Sequence, residues 1–308
     1  VIFKRVLSRY DLIAEMLLLI VTMAILEPTF LSTANLINIL RQYSPIGIMA
    51  VGMTFVILTG GIDLSVGSLL ALTGVICAYL EHQNLPLVVV ILATLALGAG
   101  LGAVNGLVVT VGRVTPFVVT LGMMSIARGW AHIFTKGEPI SRFGVEFSYL
   151  GKGSVWEIPV PVILFGAVVL LAAVVLEHTV LGRYLYAIGG NEEAARLSGV
   201  RVRTCKTIAY AVCGLTAALG GIVLTARLGA AESIAGTGYE LDVIAAVVIG
   251  GTSLMGGRGS VWGTLFGALL IGAINNGMVL LNISSYYQLV VKGTIIILAV
   301  MADRMRDR

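Results

Sequence analysis

The run GRYLYAIGGNEEAARLSGVRV, from Gly182 to Val202, concentrates polar and charged side chains in a chain that is otherwise largely apolar. Asn191 has a short side-chain oxygen suited to capping the free N–H groups of a first helical turn. Glu192 and Glu193 follow, where the helix dipole favours negative charge, and Arg196 lies toward the other end. Gly199 suits the left-handed stop. The spacing predicts a two-turn helix over Glu192–Ser198, carrying Leu197, that is too polar and too short to cross a membrane. Alone it is marginal, so something must pack against it. That neighbour is either a groove on a partner or the rest of its own domain.

A second group is GGIDLSVGS, Gly60 to Ser68. The glycine pair permits a sharp break between helices. Asp63 can then cap a helix starting at Leu64 by accepting from the Ser65 or Val66 N–H. A carboxylate near membrane depth is expensive and often functional, so Asp63 is a plain cap or the lining of a polar gate. Asn105, Thr120, Ser125, Thr252, Ser253, Asn275 and Asn276 fall within apolar spans. They can offer hydrogen bonds to a neutral polyhydroxylated solute or join helices. Asn275 and Asn276 point about 100° apart on a helix, so both cannot easily face one neighbour. Arg128 and Lys292 also lie inside spans and need partners or a snorkelling route outward. The histidines His82, His132 and His178 lack metal-ligand spacing. The cysteines Cys77, Cys205 and Cys213 have no metal pattern, and Cys77 and Cys213 read as small buried hydrophobes. The chain has no phosphate-binding loop of the G-x-x-x-x-G-K-[ST] type; Gly256–Ser260, GGRGS, lacks the lysine. Neither HExxH nor GxSxG occurs. No catalytic residue, metal or bound cofactor is therefore expected.

The elements that must position these groups are set by composition. Of 308 residues, 58% are hydrophobic and only 12% charged, with a mean hydropathy of +1.00. Soluble chains carry about 25% charged residues, so lipid must solvate much of this surface. The basic balance, with a pI near 9.0, is not a nucleic-acid signal, because the basic residues sit at the ends of apolar runs. An all-α polytopic membrane protein of about ten spans is expected, as one transmembrane domain over residues 1–308. The spans run roughly Leu12–Leu26, Leu36–Leu58, Val66–Leu80, Leu87–Val111, Phe117–Phe134, Val160–Leu176, Thr207–Ala226, Val243–Leu254, Val261–Leu281 and Leu289–Met301. Val66–Leu80 and Val243–Leu254 are short for a bilayer and adjoin glycine pairs, so they read as interrupted helices, allowed where protein or a water-filled cavity covers them. Lys4, Arg5 and Arg9 precede a span with no small-residue cleavage site, which predicts a retained first helix.

With ten spans both termini share one side. That side collects most of the 20 Lys and Arg residues, among them Arg183, Arg196, Arg201, Arg203, Lys206, Arg258 and both terminal clusters. The opposite side holds Arg41, Lys136, Arg142, Lys152 and Arg227. The bias places the termini and the Gly182–Val202 loop in the cytoplasm. The longest outer connection, Lys136 to Ile158, is expected to be a plug, a docking surface or a structured cap. Arg227 to Asp242 forms a slightly acidic outer lip. Ile57–Thr73 and Val248–Leu265 echo one another: an apolar run, Gly-Gly, a leucine, Gly-Ser and a new apolar span, as in transporters with matched broken helices.

These stretches resemble the permeases of ribose/xylose/galactose-type ABC sugar importers. The polar loop, Gly60–Ser68, Thr115–Arg128 (TPFVVTLGMMSIAR) and Gly250–Gly263 (GGTSLMGGRGSVWG) carry the likeness, which extends over about Asn35 to Met301. The resemblance implies a permease paired with a second copy or close paralogue in a bacterial cytoplasmic membrane. It also implies a cytoplasmic ABC ATPase that binds ATP and Mg, and an extracytoplasmic sugar-binding protein. In such a machine Asn191, Glu192, Glu193, Arg196, Leu197 and Gly199 couple to the ATPase. Asp63, Ser65, Asn105, Thr252, Ser253, Asn275 and Asn276 are the pathway or gate candidates. The expected function is ATP-driven import of a monosaccharide by alternating access. The alternatives are a related permease for branched-chain amino acids, nucleosides or a signalling furanose, and, in another class, an ion-coupled secondary transporter.

Overall fold

The computed structural model describes residues 16–306. Among the described residues the secondary structure is helical apart from two-residue strand pairings. In order, the helices are α1 (Met16–Leu26), α2 (Thr33–Leu58), α3 (Val66–Glu81), α4 (Leu87–Thr110), α5 (Pro116–Thr135), α6 (Val145–Lys152), α7 (Val160–His178), α8 (Val180–Gly190), α9 (Glu192–Leu197), α10 (Val202–Leu228), α11 (Tyr239–Ile249), α12 (Val261–Leu280) and α13 (Ser285–Arg306). Every expected span coincides with one of these. Leu12 to Glu15 of the first span, and Lys4, Arg5, Arg9 and Arg308 of the basic set, lie outside the described residues. By length and composition α4, α5, α7, α10 and α12 are long and apolar enough to cross a membrane, and α1, α3 and Ser285–Met301 of α13 are shorter apolar helices.

Two boundaries correct the sequence reading. α3 starts at Val66 rather than Leu64, because Leu64 and Ser65 form a turn closed by Asp63. α11 stops at Ile249 rather than Leu254, because Gly250 caps it and Gly251 is left-handed at φ 85°. Elsewhere the ends follow local chemistry. Ser32 and Ser260 cap α2 and α12 through the Asn35 and Gly263 N–H groups, and Pro occupies the first turn of α5 and of α7, where its missing N–H costs nothing.

The core is α10 with α2, α3 and α4 around it. Of the most apolar window of α10, 67% is buried, against 22% for α4 and 17% for α5. α4 and α5 therefore present lipid-grade surface, as exposed Leu92, Phe117 and Ile133 show. α4 meets α10 through Gly98, Gly102 and Gly106, spaced four apart, and a Cβ at any of them would collide with α10 backbone or side chain. Small residues at this spacing let membrane helices approach closely.

The helix ends gather into two clusters. At one, the strand Ile140–Ser141 after α5 pairs with Ala230–Ala231 after α10. Ser154–Val155 pairs with Ile158–Pro159 as a hairpin. Glu81 at the end of α3 accepts from Gly144 N at 2.7 Å. Within this cap α6 inserts Phe147 among Cys77, Val90, Ile222 and Ala226, and Gly151 sits against the Ala226–Arg227 backbone. The Lys136–Ile158 connection is thus a structured cap packed on its own helices. At the other end lie both glycine breaks, α8, α9 and the starts of α10 and α12.

Candidate functional site

The polar loop begins where α7 ends. Thr179 accepts from Gly182 N at 3.3 Å and starts α8, which buries Leu185 and Ile188. Asn191 is extended, at φ −162°, and its Oδ1 accepts from Ala194 N at 2.9 Å. α9 then runs Glu192–Leu197, with Ser198 as its C-cap. Gly199 is left-handed at φ 84°, and Val200 N returns to Ala195 O at 3.1 Å. This is the stop the sequence predicts.

The charges on α9 have two uses. Arg196 donates to Glu193 one turn back, and that hydrogen bond raises the Arg196 pKa above its ordinary value. Lys206 of α10 reaches Glu192 at 2.5 Å and ties α9 to the helix that follows. Ala195 is buried while Leu197 is 80% exposed. The short helix therefore has an inner face held by its own chain and an outer face that ends in an apolar knob.

The two glycine breaks lie beside this loop. At the first, Asp63 Oδ1 accepts from Ser65 N at 2.9 Å and from Ser65 Oγ at 2.5 Å, and Asn105 Nδ2 donates to Ser65 Oγ at 3.0 Å. All three residues are fully buried. The structure thus brings Asp63, Ser65 and Asn105 into one knot, with Asp63 Oδ2, Asn105 Oδ1 and the Tyr210 hydroxyl unpartnered among the described residues. At the second, Thr252 and Ser253 are buried; Ser253 N donates to Arg258 O at 2.9 Å, and Thr252 packs against Gly259. The breaks meet the loop through Gly257 N, which donates to Leu58 O at 2.9 Å, and through the Tyr186 hydroxyl, which donates to Gly259 O at 3.0 Å. Burial, with Glu177 nearby, pushes the Tyr186 phenol up, so it stays a protonated donor. Trp262 Nε1 donates to Glu177 Oε1 at 3.1 Å, linking α12 to the end of α7.

Of the remaining polar residues of the spans, Thr120 reaches the first break and the others lie elsewhere. Asn276 exchanges paired hydrogen bonds of 2.9 Å with Asn35, which makes it helix-joining. Asn275, adjacent in sequence, is buried next to the Tyr43 hydroxyl, and among the described residues no other group pairs with its amide. Both lie toward the cap end of α12, remote from the loop. Thr120 bonds its own helix at Pro116 O, 2.9 Å, and reaches Ile62 O of the first break at 3.4 Å, while Ser125 bonds Leu121 O at 3.3 Å. Of the two routes expected for Arg128, partners or snorkelling, the structure supplies partners. Its guanidinium donates to Ser233 O at 2.5 Å and Ala235 O at 2.8 Å, carbonyls of the loop before α11. Lys292 pairs with Asp242 at 2.9 Å. Sequence reasoning missed Tyr186, Tyr210 and Asp242 as members of these networks. An aromatic in or beside an apolar run carries no sign that its hydroxyl will find a backbone carbonyl.

A family described as "Branched-chain amino acid transport system / permease component" matches residues 35–300. The chain is 52% identical over 296 residues to the ribose import permease protein RbsC of Escherichia coli K12, spanning 95% of this chain and 92% of that protein. It is 46% identical over 307 residues to RbsC of Bacillus subtilis 168, spanning 99% and 95%. It is 41% identical over 277 residues to the D-allose transport system permease protein AlsC of E. coli K12, spanning 90% and 85%. No solved structure matches. Since the polar loop and both glycine breaks lie inside the matched segment, the chain belongs to the permease family of ribose-type ABC sugar importers, a multi-pass membrane transport subunit and not an enzyme.

Proposed function

We propose that this permease imports a monosaccharide of the ribose kind across a bacterial cytoplasmic membrane by alternating access, with α9 seated in a groove of a cytoplasmic ATPase. One observation carries the reading. The chain has no phosphate-binding loop of its own, yet it projects a capped, charged helix tipped by Leu197 from the end where both glycine breaks lie. ATP and Mg belong to the ATPase. The excess of Lys and Arg at this end supports a cytoplasmic placement for it and for both termini. The cap end then faces the sugar-binding protein, where most specificity resides, and a second copy or close paralogue of this chain completes the passage. A permease that gripped sugar equally in every state would gain nothing toward turnover.

A neutral sugar is favoured over an amino acid by the relatives, which are ribose and D-allose permeases. Arg128 and Lys292 are engaged by carbonyls and by Asp242, so neither is open to a substrate carboxylate, whereas Arg41 of α2 and Arg227 of α10 each keep a buried Nε without a partner among the described residues. Asn275, a buried amide whose polar neighbour among the described residues is the Tyr43 hydroxyl, can offer both donor and acceptor and is the pathway residue best suited to sugar hydroxyls. Asp63, Ser65, Asn105, Thr252 and Ser253 act at the gate.

The test is reconstitution into liposomes with the ATPase and binding protein, measuring uptake of radiolabelled ribose. ATP-driven uptake is expected. Glu193→Ala and Gly199→Leu should lower ATPase co-purification or uptake at normal expression. Uptake driven by a proton or sodium gradient in the absence of the ATPase would sink the proposal in favour of ion-coupled transport.

A further inference from the structure

Three segments distant in sequence meet backbone to backbone beneath the polar loop. They are the end of α2 at Leu58–Gly60, the end of α8 at Gly189, and the loop Gly256–Gly259 before α12. Gly257 N donates to Leu58 O at 2.9 Å. A Cβ on Gly189 would land on the Leu58 carbonyl and the Gly257 nitrogen, and one on Gly256 would come within 2.8 Å of Gly60 N and 3.0 Å of Gly189 Cα. The contact takes in the Gly190 backbone as well, which a Cβ on Gly257 would meet at 2.7 Å from N, although a Cβ on Gly190 itself points into open space. Tyr186, one turn before Gly189, closes the junction from the side through Gly259 O.

We infer that Gly189 and Tyr186 are positioning residues for transport: they engage α8 with both glycine breaks at once, so that displacement of α9 moves α2–α3 and α11–α12 together. The physical ground is that closely packed backbone is stiff. A void or a longer contact absorbs motion, whereas atoms in van der Waals contact transmit it. The five residues from Tyr186 to Gly190 are helical, and Asn191 caps α9 directly after them, so little slack lies between the exposed knob and the junction. The ends of α2 and α11 are the places where each apolar run stops and turns, which makes them the hinges available to move. This inference rests on α9 receiving force from an ATPase, as proposed above.

The experiment compares ribose uptake with ATP hydrolysis in the reconstituted complex of permease, ATPase and binding protein. Gly189→Ala should cut sugar moved per ATP by at least about tenfold while the ATPase still co-purifies and hydrolyses ATP. Tyr186→Phe, which removes only the hydroxyl, should cut it about fivefold with no loss of assembly. Gly166→Ala, on α7 where an added Cβ meets nothing within 4 Å, should match the parent. If Gly189→Ala does not assemble, Tyr186→Phe decides. Parental coupling in Tyr186→Phe, or in an assembled Gly189→Ala complex, overturns the inference and leaves the importer reading standing. A parental complex without ATP-driven uptake sinks that reading, and the inference with it.

Discussion

The two glycine breaks are built from one local motif and put to different uses. Each apolar helix before a break ends on a left-handed glycine, Gly60 at φ 74° and Gly251 at φ 85°. The next residue in each case donates five residues back, Gly61 N to Val56 O at 3.2 Å and Thr252 N to Val247 O at 3.1 Å. A short polar side chain then accepts the N–H two residues on: Asp63 from Ser65 at 2.9 Å and Ser253 from Met255 at 3.3 Å. From there the breaks diverge. After Asp63 the chain turns straight back into the core, with Ser65 fully buried and α3 under way at Val66. After Ser253 it runs outward through Gly256, Gly257 and Gly259, exposes Met255 at 74%, and enters α12 only at Val261. The difference teaches that the stop signal is local but the re-entry is not. A charged acceptor with a serine behind it makes a buried knot. A hydroxyl followed by glycines makes a loop long enough to reach α8.

Substitutions sharpen or break that contrast. The largest effect is expected at Asp63→Ala, which strips the acceptor from the Ser65 N–H and hydroxyl in a fully buried site. A loss of about 3 kcal/mol in stability is expected, read as a lowered Tm of the purified permease. Ser253→Ala, which removes a neutral acceptor 3.3 Å from Met255 N where Asp63 is charged, should cost less, about 1 kcal/mol; equal melting shifts for the two would erase the distinction drawn here. Between these two come Gly60→Ala and Gly251→Ala, which should each cost about 1–2 kcal/mol, since both force a side chain into left-handed backbone. A large difference between them would show that the shared stop is superficial. The smallest effect is Met255→Ala, expected within about 0.5 kcal/mol of the parent because its side chain stands out of the core; a marked fall in Tm would mean that the second break is packed like the first.

Much of this was legible from residue types. The capped helix at Asn191–Gly199 has its ends where local rules put them, because a cap, an acidic first turn and a left-handed glycine act over a single turn, while Ala195 and the Lys206–Glu192 pair hold it in place. The glycine breaks were legible for the same reason, although α11 ended earlier than its apolar run suggests: hydropathy does not register where a Schellman-type stop closes. Asn275 and Asn276 were equivalent in sequence, and nothing local marks Asn276 as the one that meets Asn35. Arg128 was open to snorkelling until the loop before α11 was seen to bring two carbonyls to it.

By itself, then, the sequence determined that this chain lies in lipid, where its helices stop, and that one polar helix stands apart, because composition, spacing and capping are properties of neighbours along the chain. Only the tertiary structure decided which buried amide is paired, which cation is engaged, and that Leu58, Gly189 and Gly257 share one point. Those outcomes depend on which helix faces come within van der Waals contact, and that is set by packing between segments far apart in the chain, with small residues marking where contact is possible but not with whom.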